Sequence, residues 1–208
     1  MKIEKFVLGS MGTNCYIAVN EENGECILVD PAAWPPELSS HIRTGGLKPL
    51  AVLLTHGHFD HIMGLDGLLR EYDIPVYAFE SEKEVLNSAR LNLSAMMAGA
   101  YTFSDARYVK DGQILDIGGV QIRVIHTPGH TSGGCCYYIE KEGILFSGDT
   151  LFHASIGRTD FPTGSSSQLV RSVKERLFDL PDETKVYPGH GEETQIRWEK
   201  RYNPFCRS

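Results

Sequence analysis

The sequence predicts an α+β domain in which two mixed β-sheets lie face to face with helices outside. Two observations carry this. Two strand-rich halves each run on into helical segments. The first half's Ile27-Leu28-Val29-Asp30 is echoed by Ile144-Leu145-Phe146 leading to Asp149, an apolar strand delivering a carboxylate in each case. The length of 208 residues, 41% of them hydrophobic, suits one domain, 1–208, with a sizeable core.

Taken in order, residues 2–8, 13–19 and 25–29 read as strands, with Asn23-Gly24 as the turn between the second and third. A helix is expected from about Pro35 to Thr44, with Pro in its first turn and Gly45 at its stop. Leu50 to Thr55 is short, continuously apolar and free of Pro, which predicts a central strand. A helix over Ile62 to Arg70 should follow it, then a strand over Pro75 to Phe79. Ser81 is placed to cap a helix carrying Glu82, Lys83 and Glu84. Residues 88–104, with Met96-Met97 and Gly99, fit a helix, a loop over the site or a subunit contact, and ordinary packing is the reading taken. The second half opens with strands near 107–109, 113–117 and 120–126, turned at Asp111-Gly112 and Gly118-Gly119. Strands near 135–140 and 143–147, a helix from Ser167 to Phe178, a strand Lys185–Tyr187 and a helix over 194–201 complete the chain.

The central strand ends in Thr-His-Gly-His-Phe-Asp-His, residues 55–61. The carboxyl end of a strand in an α/β arrangement is a natural place for a site. Gly57 is expected to let the backbone turn tightly. His56 and His58 can then converge on one cation, while Asp60 and His61 open the next helix and serve a second. Imidazole and carboxylate together suit Zn²⁺, Fe²⁺ or Mn²⁺. Three later positions repeat a strand, a tight Gly turn and a candidate ligand: His130 after Thr127-Pro128-Gly129, Asp149 after Ser147-Gly148, and His190 after Pro188-Gly189. Five His and two Asp are what two cations need.

Composition narrows the class. Net charge is −7 and no Lys/Arg cluster stands out, which argues against nucleic acid or an anionic membrane as partner. No run of 18 apolar residues predicts a membrane helix, and the N-terminus shows no apolar signal region. The five cysteines contain no C-x-x-C; Cys15, Cys26, Cys135 and Cys136 lie in strand-like runs and read as buried, reduced thiols of a cytoplasmic protein. Monomer and homodimer both fit.

The motifs at 55–61, Thr-Pro-Gly-His-Thr at 127–131, Ser-Gly-Asp-Thr-Leu-Phe at 147–152 and Tyr-Pro-Gly-His-Gly at 187–191 together resemble the metallo-β-lactamase superfamily, in its order and across nearly the whole chain. The resemblance implies the four-layer αβ/βα sandwich, with the site between the sheets at one edge. It also implies metal site one at His56, His58 and His130, site two at Asp60, His61 and His190, and Asp149 bridging. Two divalent ions are implied, Zn first, with Fe or Mn as alternatives. The antibiotic-hydrolysing β-lactamases carry a Cys in the stretch where this chain has Asp149, which points away from antibiotic hydrolysis; flavo-diiron proteins carry a carboxylate where this chain has His58. Gly157-Arg158-Thr159-Asp160-Phe161-Pro162 resembles hydroxyacylglutathione hydrolases (glyoxalase II) and persulfide dioxygenases. The Pro-Gly-His-Gly motif and the Asn203-Pro204-Phe205 end favour the short glyoxalase II-like branch, which lacks the further C-terminal region that helps full-length glyoxalase II bind glutathione.

The expected activity is therefore hydrolysis of a small-molecule thioester, an S-acyl thiol such as hydroxyacylglutathione, by a metal-bridging hydroxide. Asp60 would orient that hydroxide and Asp149 would hold both metals. The alternatives are a persulfide dioxygenase with one iron on His58, His130 and Asp149, or a lactonase. Arg158 and Asp160 read as an ion pair fixing the loop after Asp149, with a substrate-facing Arg158 as the sharper alternative. Asp30 reads as a buttress of the metal loop or a turn carboxylate, and His126 as a strand residue or an orienting donor. His41 and His153 are given no role.

Overall fold

In the computed structural model, which describes residues 1–97 and 99–206, the apolar run before His56 forms β4 (Lys48–Leu53) in the middle of a six-stranded sheet. Ala98, inside the 88–104 stretch, and Arg207 and Ser208 lie outside the described residues. The sheet runs β1 (Lys2–Leu8), β2 (Thr13–Val19), β3 (Glu25–Val29), β4, β5 (Val76–Phe79) and β6 (Ala106–Val109) in spatial as in chain order. The first three strands are antiparallel, as short turns allow. From β3 onward the pairings are parallel, so the chain must cross over between strands. Helix α1 (Pro36–Thr44) makes the first crossover; α2 (Phe59–Ile62) and α3 (Leu65–Glu71) make the second.

The helix expected over Ile62 to Arg70 is thus two helices, and the reason is local. Gly64 donates its N–H to the Pro31 carbonyl at 2.8 Å, and a Cβ on Gly64 would collide with that oxygen and with Ala33. The chain breaks there to let the two segments touch. No side-chain cap by Ser81 is present either: a 3₁₀ turn over Glu80–Glu82 leads into α4 (Lys83–Leu86), and Glu82 is fully buried. The described residues of 88–104 are turns, bends and irregular chain around a short α5 (Ser94–Met97).

The second sheet has the order β14-β13-β10-β9-β8-β7, from β7 (Ile114–Ile117), β8 (Val120–His126), β9 (Cys135–Ile139), β10 (Ile144–Gly148), β13 (Lys185–Pro188) and β14 (Thr194–Gln195). A small hairpin, β11 (Leu151–Phe152) with β12 (Ser155–Ile156), stands after Asp149. Both it and β14 are two-residue strands, too short for any periodicity to announce. Helix α6 (Ser166–Ser172) runs into a π-helical turn, Val173–Leu177, and α7 (Ile196–Tyr202) follows β14.

Strand alternation sorts the side chains into three layers of core. Tyr16, Val29, Leu53, Val124, Tyr137 and Phe146 meet between the sheets. The opposite faces of β2 to β4, including Ile17, Leu28 and Val52, pack on Leu38 and Ile42 of α1 and Leu65 and Leu68 of α3. On the far side Ile125, Cys136 and Leu145 pack on Val173, Leu177 and Ile196. Each such side chain stabilises the fold by about 1.5–3 kcal/mol through burial, and helix–sheet–sheet–helix layering follows.

The echo between the halves has a topological counterpart. β3 and β10 each pair antiparallel with the preceding strand and parallel with the main-sheet strand that follows a helical crossover, and each is followed by Asp30 or Asp149. Among the described residues no helix is long and apolar enough to cross a membrane. All five cysteines are buried, and burial pushes their thiols up, that of Cys136 to about 11, so none is a ready nucleophile.

Candidate metal centre

The start of the loop after β4 is held by Asp30. Asp30, in the left-handed region at φ 50, accepts the Thr55 N–H at Oδ1 (2.8 Å). At Oδ2 it accepts the Thr55 hydroxyl (2.6 Å) and His61 Nδ1–H (2.9 Å). With its proton committed to Asp30, the Thr55 hydroxyl can only accept, so His56 Nδ1 donates to it at 3.2 Å. His130 Nδ1 donates to the Arg158 carbonyl at 2.7 Å. In all three rings the Nδ1 proton is spoken for by protein oxygen, which leaves Nε2 as the free lone pair. Asp30 is therefore the buttress that sequence reading offered as one of two roles.

Glycines let these elements meet, in different ways. Gly129 sits at φ 138, and a Cβ there would overlap the Leu169 backbone; Gly148 sits at φ 48 against Thr55. Gly189 faces Asp149 and His61 so closely that a Cβ would overlap the Asp149 carboxylate. Gly57 is not in the left-handed region. Its requirement is space: a Cβ would lie 3.0 Å from the Leu86 side chain. The expected tight turn there is instead a close approach.

All seven predicted side chains come together. His56, His58 and His130 form one cluster, Asp60, His61 and His190 a second, and His56, His61 and Asp149 a third; within each, the candidate ligand atoms lie within 4.8 Å of one another. Asp149 stands between the first two clusters. Its Oδ1 is 3.5 Å from His61 Nε2, and its Oδ2 is 3.6 Å from both His130 Nε2 and His190 Nε2. His58 Nδ1 and His130 Nε2 face each other at 2.9 Å. His56 Nε2, His58 Nε2, His61 Nε2 and Asp149 Oδ1 are buried without a hydrogen-bond partner. Buried polar atoms are rarely left so, and His56 Nε2, His61 Nε2 and Asp149 Oδ1, which belong to one cluster, fit a cation-binding centre of nitrogen and oxygen donors.

The electrostatics agree. Burial pushes His56 and His58 well below the usual imidazole range, and the neighbouring histidines push further. Burial acts the same way on His61, but Asp60, Asp30 and Asp149 outweigh it and raise the ring to about 10. Burial would raise Asp60, yet His61, His190 and the Thr13 hydroxyl hold its carboxyl well below its ordinary value. Neutral rings on one side and carboxylates demanding positive charge on the other are what a dication satisfies.

Several contributing residues carry no signal in the sequence. Glu82 accepts the Gly57 N–H at 2.8 Å and the Thr131 hydroxyl at 2.9 Å, tying the 55–61 loop to the His130 loop. Its carboxyl is pushed up to about 7 by burial, partly offset by the Gly57, Thr131 and Gly133 donors. Thr13 donates to Asp60 Oδ2 at 2.9 Å. Asn14 Nδ2 and the Tyr16 hydroxyl donate to the Pro188 carbonyl at 2.9 and 2.7 Å, fastening β2 beneath the His190 turn. By contrast, His126 stacks on Phe79 at 4.1 Å and donates to Ser132, as a strand residue would. His41 bonds Glu4, and His153 packs on Trp198.

A cleft of about 520 Å³ opens above the centre, floored by His58, Asp60, His130, Asp149 and His190. Its walls include Met11, Leu93, Met96, Met97, Phe152, Ile156 and Phe161, so part of the 88–104 stretch borders the site, while Tyr101 and Phe103 pack in the core as ordinary packing would have them. Arg158 lines the cleft too, in a two-bond pair with Asp160 at 2.7 Å each, with its guanidinium 3.9 Å above the Phe161 ring.

The family model described as the metallo-beta-lactamase superfamily matches residues 8–190. The chain is 39% identical over 207 residues to a probable metallo-hydrolase, YqgX, of Bacillus subtilis, covering 99% of this chain and 97% of that one. It is 32% identical over 212 residues to the hydroxyacylglutathione hydrolase GloC of Haemophilus influenzae, covering 100% and 99%. Among solved structures, that of the BLEG-1 B3 metallo-beta-lactamase matches with TM-score 0.93 at 38% identity, covering all of both chains. TTHA1623 in a di-iron-bound form matches with TM-score 0.85 at 36% identity, covering 97% and 99%.

Proposed function

The chain belongs to the metallo-β-lactamase superfamily, and on that premise we propose that it is a dinuclear metallohydrolase that cleaves S-acyl thioesters. The observation that carries this is the convergence of seven side chains under an open cleft, three of them (His56, His61 and Asp149) with a buried, partnerless ligand atom. His56, His58 and His130 would hold one ion, Asp60, His61 and His190 the other, with Asp149 between them. Such ions, when bound, supply a hydroxide nucleophile near neutral pH and polarise a carbonyl.

The protein's own groups do the rest. The Nδ1 bonds of His56, His61 and His130 fix their tautomers and aim Nε2 inward. Asp60, kept anionic and held by Thr13, faces the cleft and orients the attacking water. A thiolate is a weak base, so its departure needs little proton donation, and no Ser or Cys nucleophile is required. The name of the GloC relative supports a hydroxyacylglutathione as one substrate.

A second reading has its own observation. His58, His130 and Asp149 lie together, with His130 Nε2 between the other two, and TTHA1623 holds iron. A single ferrous ion on that trio would suit a persulfide dioxygenase. The BLEG-1 similarity adds a β-lactam to the compounds to be assayed. The test loads metal-free protein with Zn²⁺, Mn²⁺ or Fe²⁺ and offers S-lactoylglutathione, a simple thioester, a chromogenic β-lactam and glutathione persulfide with an oxygen electrode. Thioester hydrolysis without oxygen uptake is expected. Oxygen uptake on persulfide with no thioester cleavage overturns the proposal.

A further inference from the structure

From the walls of the cleft we infer that the substrate is an S-acyl thiol with an apolar body and an uncharged thiol portion, and that glutathione thioesters are poorer substrates. This rests on the thioesterase reading above and names its substrate class. Met96, Met97 and Met11 are 78%, 59% and 49% exposed, so much of their apolar surface is left uncovered by the described residues. Three of the five methionines in the sequence therefore stand at one opening. Together with Phe152, Ile156 and Phe161 they come from four separate segments of chain, so the wall is assembled by the fold. Flexible, polarisable thioethers beside aromatic rings make a surface that moulds to apolar groups of varied shape.

The charge pattern is equally selective. A glutathione moiety carries two carboxylates, and each needs a cationic or N–H partner when it leaves water. Among the described residues lining the cleft, Arg158 is the single Lys or Arg. Its Nε–Nη2 edge is taken by Asp160 and its face by Phe161, so two carboxylates would have one already half-engaged cation between them. A carboxylate arriving there competes with Asp160, in a cleft whose lining includes three methionines. An acyl chain lying along Met96 and Met97 instead gains burial with every methylene.

The test uses the metal-loaded protein and one uncharged thiol, N-acetylcysteamine, acylated with acetyl, butyryl or hexanoyl. Each added methylene is expected to raise kcat/KM by about fourfold, and S-lactoylglutathione should fall below the butyryl compound. The double variant M96S/M97S, altered at two exposed positions, should flatten the chain-length dependence. A flat series in the natural protein, a lactoylglutathione preference, or an unchanged slope in the variant would each overturn the inference. Calorimetric titration with non-hydrolysable thioethers gives a readout independent of turnover: S-hexyl-N-acetylcysteamine should bind more tightly than S-hexylglutathione, and the reverse order overturns the inference. If no thioester is hydrolysed with any metal, the thioesterase proposal fails, while the thioether order still decides what the cleft prefers.

Discussion

Asp30 shows how much one side chain can organise. It receives three hydrogen bonds from Thr55 and His61 and touches nothing in the cleft. Replacing it with Ala should leave the inward-facing groups in place but free to rotate, weakening metal binding by about 10–100-fold; competition with a coloured chelator measures this. Glu82 gives a pH signature. Its folded-state pKa, about 7, lies above its ordinary 4.5. The proton is therefore bound more tightly in the folded protein, and the stability it contributes is present below pH 4.5 and lost as pH rises through 7. The stability difference between the natural metal-free protein and E82Q should fall over that window in urea titrations; a pH-independent difference would refute the assignment. The seven side chains that converge at the candidate centre were legible because they stand in short His and Asp motifs that include Gly. Glu82 and Thr13 were not, because a glutamate 25 residues from Gly57 and a threonine 47 residues from Asp60 become partners only through the fold.

At the scale of elements, the longer strands followed directly from apolar runs, the two-residue strands β11, β12 and β14 did not, and a helix was misjudged where backbone segments touch. Gly64 divides a helix that its apolar spacing would have continued, because Pro31 and Ala33 press against it. Gly129 combines both demands: a left-handed φ of 138 and the Leu169 backbone of α6 packed against its α-carbon. Gly129→Ala should destabilise the protein by about 3 kcal/mol. That corresponds to a fall in Tm of about 6–12 °C for a chain of this size, read by thermal denaturation of the metal-free form. The 88–104 segment was illegible for another reason. Its methionines face a cleft, and burial against the rest of the chain, which periodicity reports, does not describe them.

At the scale of the whole molecule, the sheet halves share one centre. His56, His58, Asp60 and His61 follow the first sheet's β4, and His130, Asp149 and His190 follow strands of the second. The two-sheet architecture was readable from the strand-rich halves, but the matching topology of β3 and β10 was only hinted by the Asp30 and Asp149 echo. Ions bound between the halves stabilise the folded form over the unfolded one. Chelation should therefore lower Tm in the natural protein, while H56A, already deficient in binding, should show little further change. Equal losses in both proteins would mean that the ions are held elsewhere.

The bond from His130 Nδ1 to the Arg158 carbonyl joins a metal-facing ring to the segment that carries Phe161 over the cleft. A ligand that displaces this segment also moves the ring, so occupancy of the cleft and occupancy of the centre are thermodynamically linked. Linkage is reciprocal. Whatever factor an analogue imposes on metal affinity, the metal must impose on the affinity for that analogue, and two titrations run in opposite order must close the same cycle.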